Sequence, residues 1–136
     1  MNVVNLDGDI VSWHLTGHIA KGRIAHKSSY HLLARDILID LFPTLQILEE
    51  VSIPLRKNET LYLDFYIPLS KLCVEVHGEQ HYKFVPFYHG NIMSFLKAQK
   101  KDREKKEWCE NNNIRYIELP YNENQEQWIN RINHEQ

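Results

Sequence analysis

The stretch Leu61 to Tyr82, LYLDFYIPLSKLCVEVHGEQHY, constrains this chain more than any other. It reads as two apolar strands joined by a short polar turn, with Gly78 ending the second. Asp64 interrupts the first strand, and Glu75 and His77 interrupt the second. A carboxylate inside an apolar strand is costly to bury without a partner, and two on neighbouring strands repel. Strand side chains alternate faces, so Glu75 and His77 share one face while Val74 and Val76 point the other way, into the core. An antiparallel hairpin across Pro68 to Lys71 sets Asp64 on the face of Glu75. The reading is a divalent-cation site made by Asp64, Glu75 and the Val76 carbonyl, with His77 beside it. Oxygen donors of this kind suit Mg²⁺ or Mn²⁺ better than zinc.

The flanking chain supplies a scaffold. Asp7-Gly8 between Val3-Val4 and Ile10-Val11 predicts a small N-terminal hairpin, with Trp13 as its anchor. Thr16 to Lys27 reads as a loop or arm. Ser28 or Ser29 caps a helix running to about Leu41, with Leu33, Ile37 and Leu41 on one face, and Pro43 stops it. Leu48 to Pro54 is a strand, and Arg56 to Thr60 is the polar turn into the Asp64 strand. Glu49-Glu50 at the start of the Leu48 to Pro54 strand is the preferred source of an extra acid for the metal, with Glu50 favoured, ahead of Asp36 and Asp40, which read as surface charges. Lys83 to Asn91 is an aromatic loop expected to pack on the domain. A helix over Ile92 to Asn111 has one basic face, Ile114 to Leu119 is a strand, and a short helix closes the chain. This order predicts an α/β fold with a mixed central sheet flanked by helices.

Composition enters as a bound. The chain is 43% hydrophobic and 25% charged over 136 residues, which argues for one folded domain and against wholesale disorder. No apolar run approaches the ~20 residues of a membrane helix, and no basic-then-apolar leader opens the chain. Cys73 and Cys109 lack a CxxC pairing, so reduced buried thiols in a cytoplasmic protein are expected. Net charge is −2, but basic residues cluster in Lys21 to Arg35 and in Lys97 to Lys106. Lys27, Arg35, Lys97, Lys101 and Lys105 are the candidate phosphate contacts within these clusters.

Asp64, an apolar hairpin, then Glu75-Val76-His77 resembles the PD-(D/E)xK nuclease pattern, with His77 where that family usually has lysine. The continuation His77-Gly78-Glu79-Gln80-His81-Tyr82 is similar to the very-short-patch mismatch-repair endonucleases and the EDxHD-type phage homing endonucleases related to them. The segment Asp102 to Tyr121 resembles the helix and strand that follow the motif in such phage nucleases, so the likeness covers roughly residues 28 to 121. It implies a restriction-endonuclease-like core at 28–121, with a hairpin and arm at 1–27 and a C-terminal helix at 122–136. It also implies a site-specific DNA endonuclease dependent on Mg²⁺ or Mn²⁺, acting on double-stranded DNA as a homodimer. The location implied is the cytoplasm, that of the host cell for a phage-encoded enzyme. Mismatch-repair and junction nucleases of the same fold, and a non-catalytic DNA-binding module, are the alternatives.

On this reading Asp64, Glu75, the Val76 carbonyl and Glu50 hold the ion. His77 orients or deprotonates the attacking water, His81 protonates the leaving oxygen or binds phosphate, and Gln80 hydrogen-bonds the water or backbone. A rival treats His77 and His81 as a zinc pair, but Gly78 breaks the helix that such i, i+4 spacing requires.

Overall fold

The computed structural model describes residues 1–20 and 27–134. Lys21, Arg23 and His26 of the first basic cluster lie outside the described residues. The elements run β1 (Asn2–Val4), β2 (Ile10–Ser12), β3 (His18–Ile19), α1 (Ser29–Leu41), β4 (Leu48–Arg56), β5 (Glu59–Ile67), β6 (Leu72–His77), α2 (Pro86–His89), α3 (Ile92–Asn111), β7 (Arg115–Pro120) and α4 (Gln125–His134). Strands β1 and β2 pair as the small antiparallel hairpin. The other five form one mixed sheet in the order β3-β4-β5-β6-β7, antiparallel except for the parallel pair β6-β7. The architecture is mixed α/β, a five-stranded sheet flanked by helices.

Local chemistry sets the helix ends. The Ser28 hydroxyl accepts from the His31 N–H, and the Asn91 side chain accepts from the Ser94 N–H, each satisfying an otherwise orphaned first-turn donor. Asn112 caps the end of α3, and Asn113 follows with a left-handed φ of 58°.

Two apolar layers cover the two faces of the sheet. On one, Ala34, Ile37 and Leu38 of α1 and Trp128 and Ile132 of α4 pack on Phe65, Ile67, Leu72, Val74, Ile117 and Leu119. On the other, Trp108 and Cys109 of α3, with Val3 and Trp13, pack on Val51, Ile53, Leu63, Tyr66 and Cys73. Each buried indole N–H finds a backbone carbonyl: Trp13 on Ser52, Trp108 on Pro54 and Trp128 on Pro120.

The face alternation reverses at Glu50. Its φ is 55°, and Leu48 and Val51 reach the same apolar layer although three positions apart. The close approach of Gly17 locks this turn-over. A Cβ there would lie 2.1 Å from the Glu49 carbonyl oxygen, so only glycine fits.

The structure corrects several expectations. The arm contributes an edge strand, β3, paired to Leu48 and Glu49 of β4. Strand β4 continues past Pro54 to Arg56, because beyond Val51 it is an edge, where proline's missing donor costs nothing. Leu33 is exposed, and the inner face of α1 carries His31, Ala34, Arg35, Ile37 and Leu38 instead. The aromatic loop contains the short helix α2, started by Pro86, and it is not packed away: Phe87 is fully exposed and Tyr88 largely so.

Candidate active site

The hairpin register decides which side chains meet. Phe65 pairs with Val74, Tyr66 with Cys73 and Ile67 with Leu72. One further step sets Asp64 opposite Glu75, and there the ladder gives way to side chains. The Asp64 N–H donates to Glu75 Oε2 at 2.5 Å, and the Val76 N–H donates to Asp64 Oδ2 at 2.8 Å. The same stepping brackets Glu50 opposite Asp64, between the Glu49–Phe65 and Val51–Leu63 pairs. On the other side Glu75 pairs with Glu118 of β7. Four acids, Glu50, Asp64, Glu75 and Glu118, therefore occupy one row across four strands.

Their surroundings differ. Glu75 is 1% exposed and meets Lys105 Nζ of α3 at 2.5 Å. Burial and the neighbouring Asp64 charge push its carboxyl up to about 7 despite the lysine. Lys105 moves up in turn, since its attraction to Glu75 and Asp64 outweighs burial, which favours the neutral amine. Asp64 is half-buried and shares a hollow of about 340 Å³ with Glu50, Tyr62 and Leu63. Glu50 also forms an ion pair with Lys27.

Beside the carboxylates stands a histidine pair. His77 is buried, and its ring stacks on His81 with centroids 4.1 Å apart and planes 4° from parallel. His77 Nδ1 faces Glu118 Oε1 at 3.4 Å, while its Nε2 has no hydrogen-bond partner. Burial disfavours the charged ring, but Glu118, Asp102 and Glu75 outweigh it and raise the His77 pKa. Glu118 is held at about 2 by its hydrogen bond to His77, helped by Tyr82, whose hydroxyl also donates to it. His81 is partly exposed, and its Nδ1 lies 2.8 Å from Asp102 Oδ2 of α3. Ligand atoms of His77, His81 and Asp102 all lie within 4.8 Å of one another.

The structure thus brings Asp64, Glu75, Val76, His77 and His81 together, with Glu50 at the rim. Gln80 is not part of this group. It folds back over Gly78 and lines a separate hollow with Ser28, Tyr30, Val76 and Tyr121. Among the candidate phosphate contacts, Lys97 and Lys101 are exposed on α3 with Lys100, Arg103 and Lys106. Three others are paired with acids. Arg35 is buried beside Glu49, Lys105 turns inward to Glu75, and Lys27 is engaged by Glu50. Sequence reasoning missed Asp102, Glu118 and the inward role of Lys105. Helical spacing held the signal: Phe95, Asp102, Lys105 and Cys109 recur at intervals of three, four and seven on the inner face of α3. Strand alternation held it for Glu118, which sits between the inward Ile117 and Leu119.

The donor chemistry fits a hard divalent ion. Asp64 and Glu75 offer oxygens only, their two carboxyls face the ammonium of Lys105, and burial together with the Asp64 charge makes Glu75 ionise reluctantly.

Three curated relatives match part of the chain. Uncharacterized protein 307L of Invertebrate iridescent virus 6 is 45% identical over 64 residues, covering 47% of this chain and 32% of that protein. Uncharacterized protein 033L of Invertebrate iridescent virus 3 is 38% identical over 68 residues, 50% of this chain and 34% of that one. Uncharacterized protein 094L of Frog virus 3 (isolate Goorha) is 36% identical over 65 residues, 47% of this chain and 42% of that one. The matched region therefore spans less than half the length of these relatives. No family model matches the chain. No solved structure matches it either.

Proposed function

We propose that this chain is a metal-dependent DNA endonuclease with a restriction-endonuclease-like core. The observation that carries the reading is the Asp64–Glu75 pair, interlocked through backbone N–H groups beside the His81–Asp102 pair on the same sheet face. Asp64 and Glu75 would hold Mg²⁺ or Mn²⁺, with the Val76 carbonyl as a further oxygen and Glu50 reaching the Asp64 side. Such an ion supplies Lewis-acid polarisation of a phosphoryl oxygen and a water of lowered pKa.

The protein's own groups do the rest. Asp102 engages His81 Nδ1, which leaves Nε2 of the partly exposed ring to take the proton of the attacking water. His77 is too enclosed for that task; it supports His81 from beneath by stacking, with Glu118 fixing its own ring. Lys97 and Lys101 on the outer face of α3 supply phosphate contacts along double-stranded DNA. Cutting both strands of a duplex calls for two such sites, hence a homodimer. Site-specific homing cleavage of the phage type is the role this reading favours.

The test is incubation of supercoiled plasmid with Mg²⁺ or Mn²⁺, comparing wild type with Asp64→Asn and His81→Ala. Loss of at least about 100-fold in rate is expected for each. Cleavage by Asp64→Asn at the wild-type rate places the chemistry elsewhere. Salt-sensitive DNA binding with no products in any divalent ion identifies a non-catalytic binding module instead.

A further inference from the structure

We infer that Lys105 is a catalytic residue of this site, delivered from α3 to the Asp64–Glu75 pair, where the strand residue His77 brings no ammonium. This rests on the nuclease reading above and adds a residue to it. The strand position two beyond Glu75 holds an imidazole that is buried and turned to Glu118, so no ammonium reaches the carboxylates along β6. One reaches them from above. Lys105 Nζ lies 2.5 Å from Glu75 Oε1, and its side chain is 15% exposed, unlike Lys97, Lys100, Lys101 and Lys106 on the outer face of the same helix. Asp102 and Lys105 are three residues apart and so share one helix face, which sends both down to the site. The helix thus engages the His81 imidazole and supplies the site's cation together.

Two consequences follow from the placement. In the metal-free chain the ammonium is the counter-charge of the Asp64–Glu75 pair, so it competes with a divalent ion for the same oxygens. With DNA bound, the same ammonium is at the carboxylates' mouth, where it holds a non-bridging oxygen of the scissile phosphate and balances the charge that gathers there.

The experiment uses the full chain and two readouts. Mn²⁺ alone is titrated calorimetrically into wild type, Lys105→Met and Lys105→Arg, and each is assayed for plasmid cleavage and DNA affinity. For Lys105→Met the expected result is Mn²⁺ binding roughly tenfold tighter, with cleavage at least about 100-fold slower and DNA affinity close to wild type. Lys105→Arg keeps the ion pair with Glu75 and carries the test should Lys105→Met fail to fold. It is expected to melt like wild type and to cut about tenfold more slowly, because the bulkier fork misplaces the charge. Mn²⁺ affinity unchanged in Lys105→Met, or cleavage at the wild-type rate in Lys105→Arg, overturns the assignment. Weakened DNA binding with an unaltered rate on saturating DNA makes Lys105 an ordinary phosphate contact and overturns it as well. Failure of the wild type to cut DNA in any ion overturns the nuclease reading itself, a result distinct from any of these.

Discussion

Two glutamates lie equally deep on opposite sides of the sheet, Glu49 at 2% and Glu75 at 1% exposure, and they are treated oppositely. Glu49 sits under α1 with His31 Nε2 at 2.9 Å and Arg35 Nε at 3.7 Å, and the His31 ring stacks on Phe65 at 4.4 Å. Its charge is matched within a closed layer. Glu75 has one lysine, a second carboxylate beside it and an open edge toward Asp64 and its hollow. Burial alone therefore says nothing about role. A carboxylate surrounded by enough positive charge ties a helix to a sheet, whereas one left short of it has capacity for a further cation.

The contrast breaks first on stability. Glu49→Gln removes the carboxylate that faces the buried Arg35 guanidinium and His31 ring and is expected to cost about 3–5 kcal/mol, read by urea unfolding, with no response to added Mg²⁺. A variant as stable as wild type shows that the Glu49 cluster does not hold α1 to the sheet. The next effect is a pH dependence with opposite signs at two sites. Glu75 is raised to about 7, so the folded chain keeps its proton where the unfolded chain has lost it. Its contribution to stability is present below about pH 4.5 and is lost as pH rises toward 7. Glu118 is depressed to about 2, so its contribution is present above about pH 4.5 and is lost as pH falls toward 2. Unfolding measured from pH 4.5 to 8 should show stability falling toward neutrality in the wild type, a smaller fall with Mg²⁺ present, and no such fall at this site in Glu75→Gln. A slope identical in wild type and Glu75→Gln removes the case for an under-compensated carboxylate. The smallest effect concerns the outer face of α3. Lys97→Ala and Lys101→Ala should each reduce the salt slope of DNA binding by about one, whereas Arg35→Lys, inside the Glu49 cluster, should leave that slope alone. Unchanged slopes in both lysine variants would move the DNA surface off α3.

Local rules carried the hairpin. Two-residue periodicity in LCVEVH and the turn at Pro68 suffice to put Asp64 opposite Glu75, and Ser28 and Asn91 announce the helix starts. The rest of the site arrives from far along the chain. Asp102 meets His81 across 21 positions and Lys105 meets Glu75 across 30; helical spacing marks both as inward but does not name the partner each meets. Charge composition misled at α3 and α1. Lys105 and Arg35 read as outward phosphate contacts of basic clusters, yet Lys105 is inward, and Arg35 is sealed against Glu49. The reversal at Glu50 is also invisible in the sequence, since it depends on Gly17, just before β3, closing on the Glu49 and Glu50 carbonyls.

Strands β6 and β7 run the same way, so the chain leaving His77 has to travel back over one face before it can re-enter at Arg115. That return path includes α2 and α3, with α3 packed over that face of the sheet like a visor. The exposed aromatic rim at Phe84, Phe87 and Tyr88 is its brim. Lengthening, trimming or recomposing the brim changes what can slide beneath it, while the anchored strands and the groups they present stay fixed. On the nuclease reading proposed above, target choice and bond breaking are thereby separable: a lineage can retune the first by editing a few residues between 83 and 91 without touching the second.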